Sequence, residues 1–554
     1  MEPLSDLIFH VANSARRVVN GCLDGLEPWQ VCAYTFATTG TIFWIYFQSR
    51  GSRLNFQTRL KNSIFRMVKR IPWVKAKIAV ESAKTRKALY DDVHKCEPNA
   101  KFNMRLPASG LDQDEILNTA AAYNTLGTYD FAHGRVSGTV YTTNEKLADL
   151  SAKVFRMYCY SNPLHPDVFP GCRKMEAEVV RMVADMFHGD QGACGVVTSG
   201  GTESLLLACL AYRNRAYDRG VRYPEMVIPV TAHAAFDKAG DYFGIRVKHI
   251  AIDPKTYKVD LRAMKKAITS NTCLLVASCP NYPHGIIDPV EGVAELGEKY
   301  NIPVHVDACL GGFLVAFMDE AGFELKQFDF RVPGVTSISC DTHKYAFAVK
   351  GTSVLLYRSK GLLHYQYFCQ PDWPGGIYAS PTLAGSRSGA NIAACWASLL
   401  FNGRKGYVES TRRIVKMARQ IEEGLRSIEG ISVLGQPEVS IVAFTSSIFN
   451  VYSLSDRLTK LGWHLNALQF PSAIHICLTM AHTAPGIVEK FVEDTRTISA
   501  ELLLDPGAGS NGKSAAIYGT AQKIPDRSII SELSFTFLDA CYSTGPLSED
   551  EKLE

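Results

Sequence analysis

Excess charge is what this chain most lacks: 59 basic residues against 55 acidic ones leave a formal net charge of only +4 over 554 positions. So small a balance, with no Lys/Arg stripe interleaved with aromatics in the main body, excludes a protein held to nucleic acid by a broad basic face. There are fifteen cysteines, but no pair is spaced C-x-x-C and the count is odd. A zinc ribbon and a disulfide framework are therefore excluded, no metal is expected, and a reducing compartment fits best. The rest of the composition, 46% hydrophobic and 21% charged, is that of an ordinary globular protein able to bury a large core.

Long uncharged apolar runs are scarce as well, with one exception. "WQVCAYTFATTGTIFWIYF", Trp29 to Phe47, carries no charge and reaches the length needed to cross a hydrocarbon core of ~30 Å. Trp29 at one end, and Trp44 with Tyr46 near the other, suit the interfaces, so a single transmembrane helix is expected over about 29–47. Asp24 and Glu27 precede the run, and Arg50, Arg53, Arg59, Lys61, Arg66, Lys69 and Arg70 follow it. That order argues against a cleaved signal peptide and places the C-terminal body in the cytosol. "IFRMVKRIPWVKAKIAV" mixes basic and apolar residues and suits an anionic membrane surface, or equally a solvated linker helix.

From about residue 175 helical patterns alternate with short β-branched runs. "EMVIPV", "VKHIAI", "TCLLVAS", "IPVHVDA" and "VTSISC" read as strands; "AAFDKAGDYFG", "LRAMKKAIT" and "PVEGVAELGEKY" read as the helices between them. The succession predicts a mostly parallel sheet covered on both faces, with ligands beyond the carboxyl ends of its strands. Four places qualify. "TSGGTES" puts Gly201 and Thr202 at a helix start, where unpaired N–H groups suit a phosphate. "TAHAAFDKA" puts His233 after a strand. "HVDACLGGF" ends a strand on Asp307, an acid that needs a cationic partner in such a run. "CDTHKYAFAVKGTS" places His343 and Lys344 directly after a strand, with Lys350 six residues on.

Singly these are a glycine turn, a histidine, an acid and a lysine. Together they are the parts that hold pyridoxal 5'-phosphate: a phosphate cradle in Gly201, Thr202 and His343, a flat group in His233, a carboxylate for the ring nitrogen in Asp307, and a Schiff-base lysine in Lys344. Desolvation and neighbouring positive charge are expected to free the Lys344 amine.

The order of "TSGGTES", "AHAAFDKA", "PHGIIDP", "HVDACLGGF" and "DTHKY", with "SNPLHPDVFPG", "DWPGGIYASPTLAGSR" and "LQFPSAIHICLT", resembles the sphingosine-1-phosphate lyase family of the group II decarboxylase-related, fold-type I enzymes, from about Tyr141 to near the C-terminus. The resemblance implies an α/β fold: a large pyridoxal-phosphate domain over 151–390 with a mostly parallel sheet, a smaller C-terminal α/β domain over 391–554 with a flexible tail, an N-terminal arm over 61–150, and a tail with its transmembrane helix and basic flank over 1–60. It implies an aldehyde-lyase that breaks the C2–C3 bond of a phosphorylated sphingoid base, giving a fatty aldehyde and phosphoethanolamine, the terminal step of sphingolipid degradation. The substrate amine would displace Lys344, a base would take the C3 hydroxyl proton, and electrons would flow into the ring held by Asp307. Tyr141, His165 and Lys350 are the implied candidates for substrate-phosphate recognition or proton transfer. The family's site lies between two subunits of a homodimer, so the resemblance implies that "GSR", Gly385 to Arg387, and the loop around Gly351 and Thr352 serve the partner's cofactor, with Ser386 as a phosphate contact. The implied location is the endoplasmic reticulum membrane, single-pass, with the catalytic part facing the cytosol.

One segment departs from the family pattern. Where that pattern reads Lys-Tyr-Gly-Tyr-Ala-Pro-Lys, this chain has Ala346, Phe347 and Val349, which changes backbone freedom just before Lys350; both lysines are kept, and activity is expected. An amino-acid decarboxylase would share the cofactor residues, and a catalytically dead scaffold would share the fold, although it would have no reason to keep both Lys344 and Asp307. "GAGSNGKS", 507–514, matches a nucleotide phosphate loop literally, but it follows the helical "EDTRTISAELLL" rather than a strand, and reads as a flexible loop.

Overall fold

A computed structural model describes residues 21, 25–51, 71–95, 102–507 and 527–545. The chain forms two compact units, Met1–Ile78 and Ala79–Glu554. In the first, the apolar run of the sequence is indeed helical, as α1 (Pro28–Gly51). The expected transmembrane helix is nevertheless corrected: no helix among the described residues is long and apolar enough to cross a membrane. Length is not the shortfall, since α1 has 24 residues; Gln30, Thr35, Thr38, Thr39 and Thr41 dilute its apolar character. The basic residues Arg53, Arg59, Lys61, Arg66, Lys69 and Arg70 lie outside the described residues.

Helices α2 (Pro72–Val93), α3 (Gln113–Asn124), α4 (Glu145–Tyr158) and α5 (Pro170–Met186) precede the sheet. The order is then β1 (Cys194–Thr198), α6 (Gly201–Asp218), β2 (Glu225–Pro229), α7 (Ala235–Phe243), β3 (Arg246–Ile250), α8 (Leu261–Ala267), β4 (Thr272–Ser278), α9 (Val290–Tyr300), β5 (Val304–Asp307), β6 (Val335–Cys340) and β7 (Ser353–Tyr357). Each strand candidate of the sequence becomes a strand. They form a seven-stranded sheet in the order β1-β7-β6-β5-β4-β2-β3. Strands β2, β4 and β5 are buried at every position, as a sheet covered on both faces requires. Only β3, at the edge, alternates buried and exposed residues.

The pairs from β3 through β6 are parallel, whereas β7 runs antiparallel to both β6 and β1. Since β1 and β6 both oppose β7, they point the same way as the parallel strands. Thr198, Pro229, Ser278, Asp307 and Cys340 thus all end at one edge of the sheet, and the loops that leave it carry the candidate residues.

Strands β8 (Phe368–Gln370) and β9 (Tyr378–Ser380) form a small hairpin. Helix α10 (Gly389–Arg426) is broken at Gly403, whose φ of 59° and ψ of 176° suit glycine alone. Beyond it β10 (Ser432–Val433), β11 (Ile441–Thr445), β12 (Asn466–Leu468) and β13 (Ala473–Cys477) make an antiparallel sheet in the order β10-β11-β13-β12. Helices α11 (Val451–Lys460), α12 (Ile487–Leu504) and α13 (Arg527–Tyr542) complete the chain. Of "GAGSNGKS", everything after Gly507 lies outside the described residues, as do residues 546–554 of the expected tail.

Candidate active site

The loop from Asp341 to Thr352 leaves β6 and returns as β7, and Thr352 pins it at both ends. The Thr342 hydroxyl donates to Thr352 Oγ1 (2.8 Å), and the His343 N–H and Nδ1 both reach the Thr352 carbonyl (3.3 and 2.5 Å). Inside this loop Lys344 turns its amine back onto Asp341, with Nζ 2.9 Å from Oδ2; the two side chains are 22% and 3% exposed. His343 Nε2 lies 3.7 Å from the same oxygen. Asp341 Oδ1 is buried and has no hydrogen-bond partner among the described residues.

The carboxylate of Asp341 also lies against the first turn of α6: a Cβ added at Gly201 would sit 2.8 Å from both of its oxygens. Among the described residues no side chain caps α6 at Gly200, which leaves the N–H groups of its first turn available to an anion. Glu203 reaches back instead to the Ser199 N–H at 2.7 Å, which leaves Thr202 free of a capping task.

Asp307 ends β5 and is 7% exposed. Its Oδ1 accepts from the Cys309 N–H (3.0 Å) and from the Ser339 hydroxyl (3.5 Å); Oδ2 accepts no hydrogen bond among the described residues. Asp307, Asp341 and Lys344 all act on the buried Cys309 thiol, which burial pushes far up, so the two acids and the lysine share one electrostatic neighbourhood.

Tyr141 closes the site from the side. Its ring meets Tyr345 edge-on at 4.8 Å, and Lys350 Nζ stands 4.9 Å over its centroid. Lys350 also reaches the His343 carbonyl at 3.5 Å. Burial pushes the Tyr141 phenol far up, and Lys344 only partly opposes this, so Tyr141 keeps its proton. Burial and then the charge of Lys344 draw Lys350 down from the ordinary lysine value. His343 is lowered by burial, against the pull of Asp341.

For Lys344 the balance runs opposite to the sequence expectation. Burial does act to lower its amine, but the Asp341 carboxylate, with lesser contributions from Cys309 and Tyr141, outweighs it and holds the ammonium above the usual lysine range. The nearest strong field is negative, not positive. Asp341 is thus the site residue that sequence reading left without a role. Its signal was the spacing Asp-x-x-Lys after a strand, which one turn of chain closes into an ion pair.

His233 sits between β2 and α7, exposed, with Nδ1 accepting from the Ala235 N–H at 3.1 Å. It shares the carboxyl edge of the sheet with Asp307 and Lys344 but makes no polar contact with either. His165 and Ser386 form a separate group. The Asn162 amide donates to Ser386 Oγ at 3.0 Å, and the Asn162 carbonyl accepts the His165 N–H at 3.1 Å. Arg387 anchors this pair by a bidentate bond to Glu176 and by a further bond to the Val197 carbonyl. Nothing joins His165 or Ser386 to the Lys344 of the same chain among the described residues.

Residues 139–447 match the pyridoxal-dependent decarboxylase conserved domain. The chain is 48% identical to the sphingosine-1-phosphate lyase of Drosophila melanogaster, over 95% of this chain and 96% of that one. The chain belongs to the sphingosine-1-phosphate lyase family. Sphingosine-1-phosphate lyase 1 of Rattus norvegicus is 44% identical over 100% of this chain and 97% of its own. Among solved structures, the sphingosine-1-phosphate lyase of Burkholderia pseudomallei superposes with a TM-score of 0.73 at 35% identity, covering 81% of this chain and 99% of that one. The α/β fold with its mostly parallel sheet is thus the lyase family's, and pyridoxal 5'-phosphate is the cofactor. The residues present fit it: a buried amine on an acid, an uncapped helix N-terminus where a Cβ added at Gly200 would meet the His343 ring at 3.7 Å, and a strand-end acid with one oxygen unspent.

Proposed function

We infer that the protein is a pyridoxal-phosphate-dependent carbon–carbon lyase that cleaves phosphorylated sphingoid bases between C2 and C3, releasing a fatty aldehyde and phosphoethanolamine. The observation that carries this is the Lys344–Asp341 pair beside Asp307 at the carboxyl edge of the sheet, in a chain of this family. When bound, the cofactor supplies an electron-accepting ring beside the bond to be broken. Lys344 is the residue for covalent attachment, and Asp307, through Oδ2, is the partner of the ring nitrogen. Gly201, Thr202 and His343 surround the place for the cofactor phosphate, and His233 is the group for the ring face.

Toward substrate, Lys350 offers an ammonium to a phosphate carrying about −1.5 to −2 charge, and Tyr141 holds its phenolic proton ready beside it. Support for a homodimer comes from His165 and Ser386, which are both bonded to Asn162 and, among the described residues, not to their own Lys344; on this reading they serve the partner's site. The domain division at about 150 and 390 goes with it, since the larger sheet ends at Tyr357 and the smaller begins at Ser432. A cytosol-facing location at the endoplasmic reticulum is supported by the cysteines, all free among the described residues, and by the basic and apolar stretch over 64–80, which suits a membrane surface without crossing it. Fractionation with alkaline extraction tests the location: release from membranes without detergent is expected.

Purified protein, with and without added pyridoxal phosphate, is incubated with a phosphorylated sphingoid base and, separately, with common amino acids. Cofactor-dependent fatty aldehyde from the first is the expected result. Carbon dioxide from the second, with no aldehyde, would make the protein an amino-acid decarboxylase instead.

A further inference from the structure

His305 is an imidazole inside a strand buried on both faces, two residues before Asp307. The period of a strand puts both side chains on one face of the sheet, and the register of β5 on β6 sets His305 opposite Ser337 and Asp307 opposite Ser339. Resting on the functional reading above, we propose that His305 is a positioning residue of the lyase reaction: it orients a row of hydroxyls so that Ser339 donates to Asp307 Oδ1, reserving Oδ2 for the cofactor's ring nitrogen.

The hydrogen bonds give the row a direction. His305 Nδ1 is 2.8 Å from Ser337 Oγ and Nε2 is 3.0 Å from Ser339 Oγ. A neutral imidazole donates from one nitrogen and accepts at the other, and burial keeps this one neutral, pushed down to about 4. The Tyr212 hydroxyl donates to Ser337 at 2.7 Å. Ser337 spends its own proton on Nδ1, so Nε2 carries the ring proton and gives it to Ser339. The Cys309 thiol points at the same Ser339 oxygen from 3.1 Å. Approached by two donors, Ser339 has only its own hydrogen to give, and Asp307 Oδ1 is the acceptor in reach. The opposite tautomer would turn the Ser339 proton onto His305 and strip the carboxylate of that bond. The anion at Asp307 selects the first arrangement, because a hydrogen bond to a charged form favours it.

Packing alone does not account for an imidazole here. The ring is fully buried, in an edge-on arrangement with Phe236 whose ring centroid is 6.1 Å away, a place where leucine or phenylalanine would incur no cost for unpaired nitrogens. Both nitrogens are spent on serines, and one of these serines touches the acid the reaction depends on.

The test uses the full chain freed of cofactor and reloaded with pyridoxal phosphate isotope-labelled at the ring nitrogen. Affinity is read from the absorbance of bound cofactor, and ring protonation from the nitrogen resonance. Ser339→Ala and His305→Leu are each expected to weaken cofactor binding about tenfold, the size of one lost hydrogen bond to a charged group, and to move the resonance toward the unprotonated position. His305→Gln, which can still donate to Ser339, should recover part of both. In an Asp307→Ala background neither substitution should add a further loss, since the row then has nothing to orient. Folded Ser339→Ala protein with wild-type affinity and an unmoved resonance would overturn the proposal, as would an equal loss in the Asp307→Ala background. Should His305→Leu fail to fold, Ser339→Ala, which removes a single hydroxyl, decides alone. A wild-type chain that takes up no cofactor would instead overturn the functional reading, and this inference with it.

Discussion

At the scale of single residues, the pair formed by Lys344 and Asp341 makes the amine a stronger base than its burial would allow. Attachment to an aldehyde needs the free amine, so the acid keeps Lys344 charged and soluble in its pocket at the expense of the rate of cofactor capture. Asp341→Asn leaves burial as the main influence, and burial lowers a lysine. The pH midpoint of cofactor capture, followed by absorbance after rapid mixing with the cofactor-free protein, should fall by at least about one pH unit, roughly tenfold in free amine. An unmoved profile would show that Asp341 does not set it. The sign for stability is opposite: a lysine raised in the folded state contributes stability that is fully present below its unfolded value of about 10.4 and lost as pH climbs through the higher folded one. The same variant should therefore unfold at lower urea at neutral pH. The departures at 346 and 347 separate in a similar way. The left-handed backbone is at Phe347, φ 62°, and not at Ala346, so the alanine meets no steric penalty there. Its carbonyl takes bonds from Ser398 (2.8 Å) and Tyr407 (3.0 Å). Ala346→Gly should cost only about 0.5–1 kcal/mol through the unfolded chain. Phe347→Gly relieves about 1–2 kcal/mol of backbone strain but forfeits a buried ring packed on Tyr407 at 6.2 Å, a loss of about 3–5 kcal/mol, so it should destabilise by about 1–4 kcal/mol in urea unfolding.

At the scale of elements, the parallel half of the sheet was legible because β2, β3 and β4 are each a short apolar run followed by a helix, and the loops that matter sit where such a sheet must place them. Strand β7 was not read as a strand: "SVLLY" follows β6 with no helix between, and its antiparallel return leaves no βαβ signature. The misread at α1 has a related cause. An uncharged run has the same length whether its hydroxyls are few or many, and the threonines of 35–41 decide its apolarity. The site was legible as far as each residue could be placed at a strand end, which covers Asp307, His343, Lys344 and Gly201. Asp341 and Ser339 were missed because their roles come from register and one turn of chain rather than from residue type. The Glu176–Arg387 clamp, joining α5, β1 and the loop before α10, is likewise invisible in sequence, its partners being 211 positions apart. Both side chains are 15% exposed, so Arg387→Ala should cost more than a surface pair and less than a fully buried one, about 1–3 kcal/mol. Because Arg387 holds the Asn162–Ser386 loop pair, KM for the phosphorylated substrate should rise more than kcat falls; a pure kcat loss with KM intact would mean that the loops do not touch substrate.

At the scale of the whole molecule, four imidazoles buried in different places, His284, His305, His475 and His482, are each pushed from 6.5 down to about 4, chiefly by burial. The unfolded chain takes up these four protons as pH falls through about 6.5, while the folded one resists until about 4. Stability must therefore decline as pH falls across that window. Asp288 works against the decline: burial raises its carboxyl from 3.8 to about 6, so between those values the folded state holds the extra proton. These four against Asp288 leave a net difference of about three protons near pH 5, a slope of about 4 kcal/mol per pH unit at about 1.4 kcal/mol for each, and His343, also lowered by burial, acts in the same direction. Urea unfolding at saturating cofactor, repeated at intervals between pH 7 and 4.5, should show a midpoint that falls steadily with acid. His475→Phe, which keeps an aromatic ring in the Ala473–Cys477 strand and removes one titrating nitrogen pair, should flatten the slope by about one proton's worth even though it lowers the midpoint at pH 7 through loss of the bond to the Pro283 carbonyl. An unchanged slope in that variant, or a midpoint that rises with acid, would mean that these imidazoles are reached by protons in the folded state and that the acid sensitivity of the enzyme lies elsewhere.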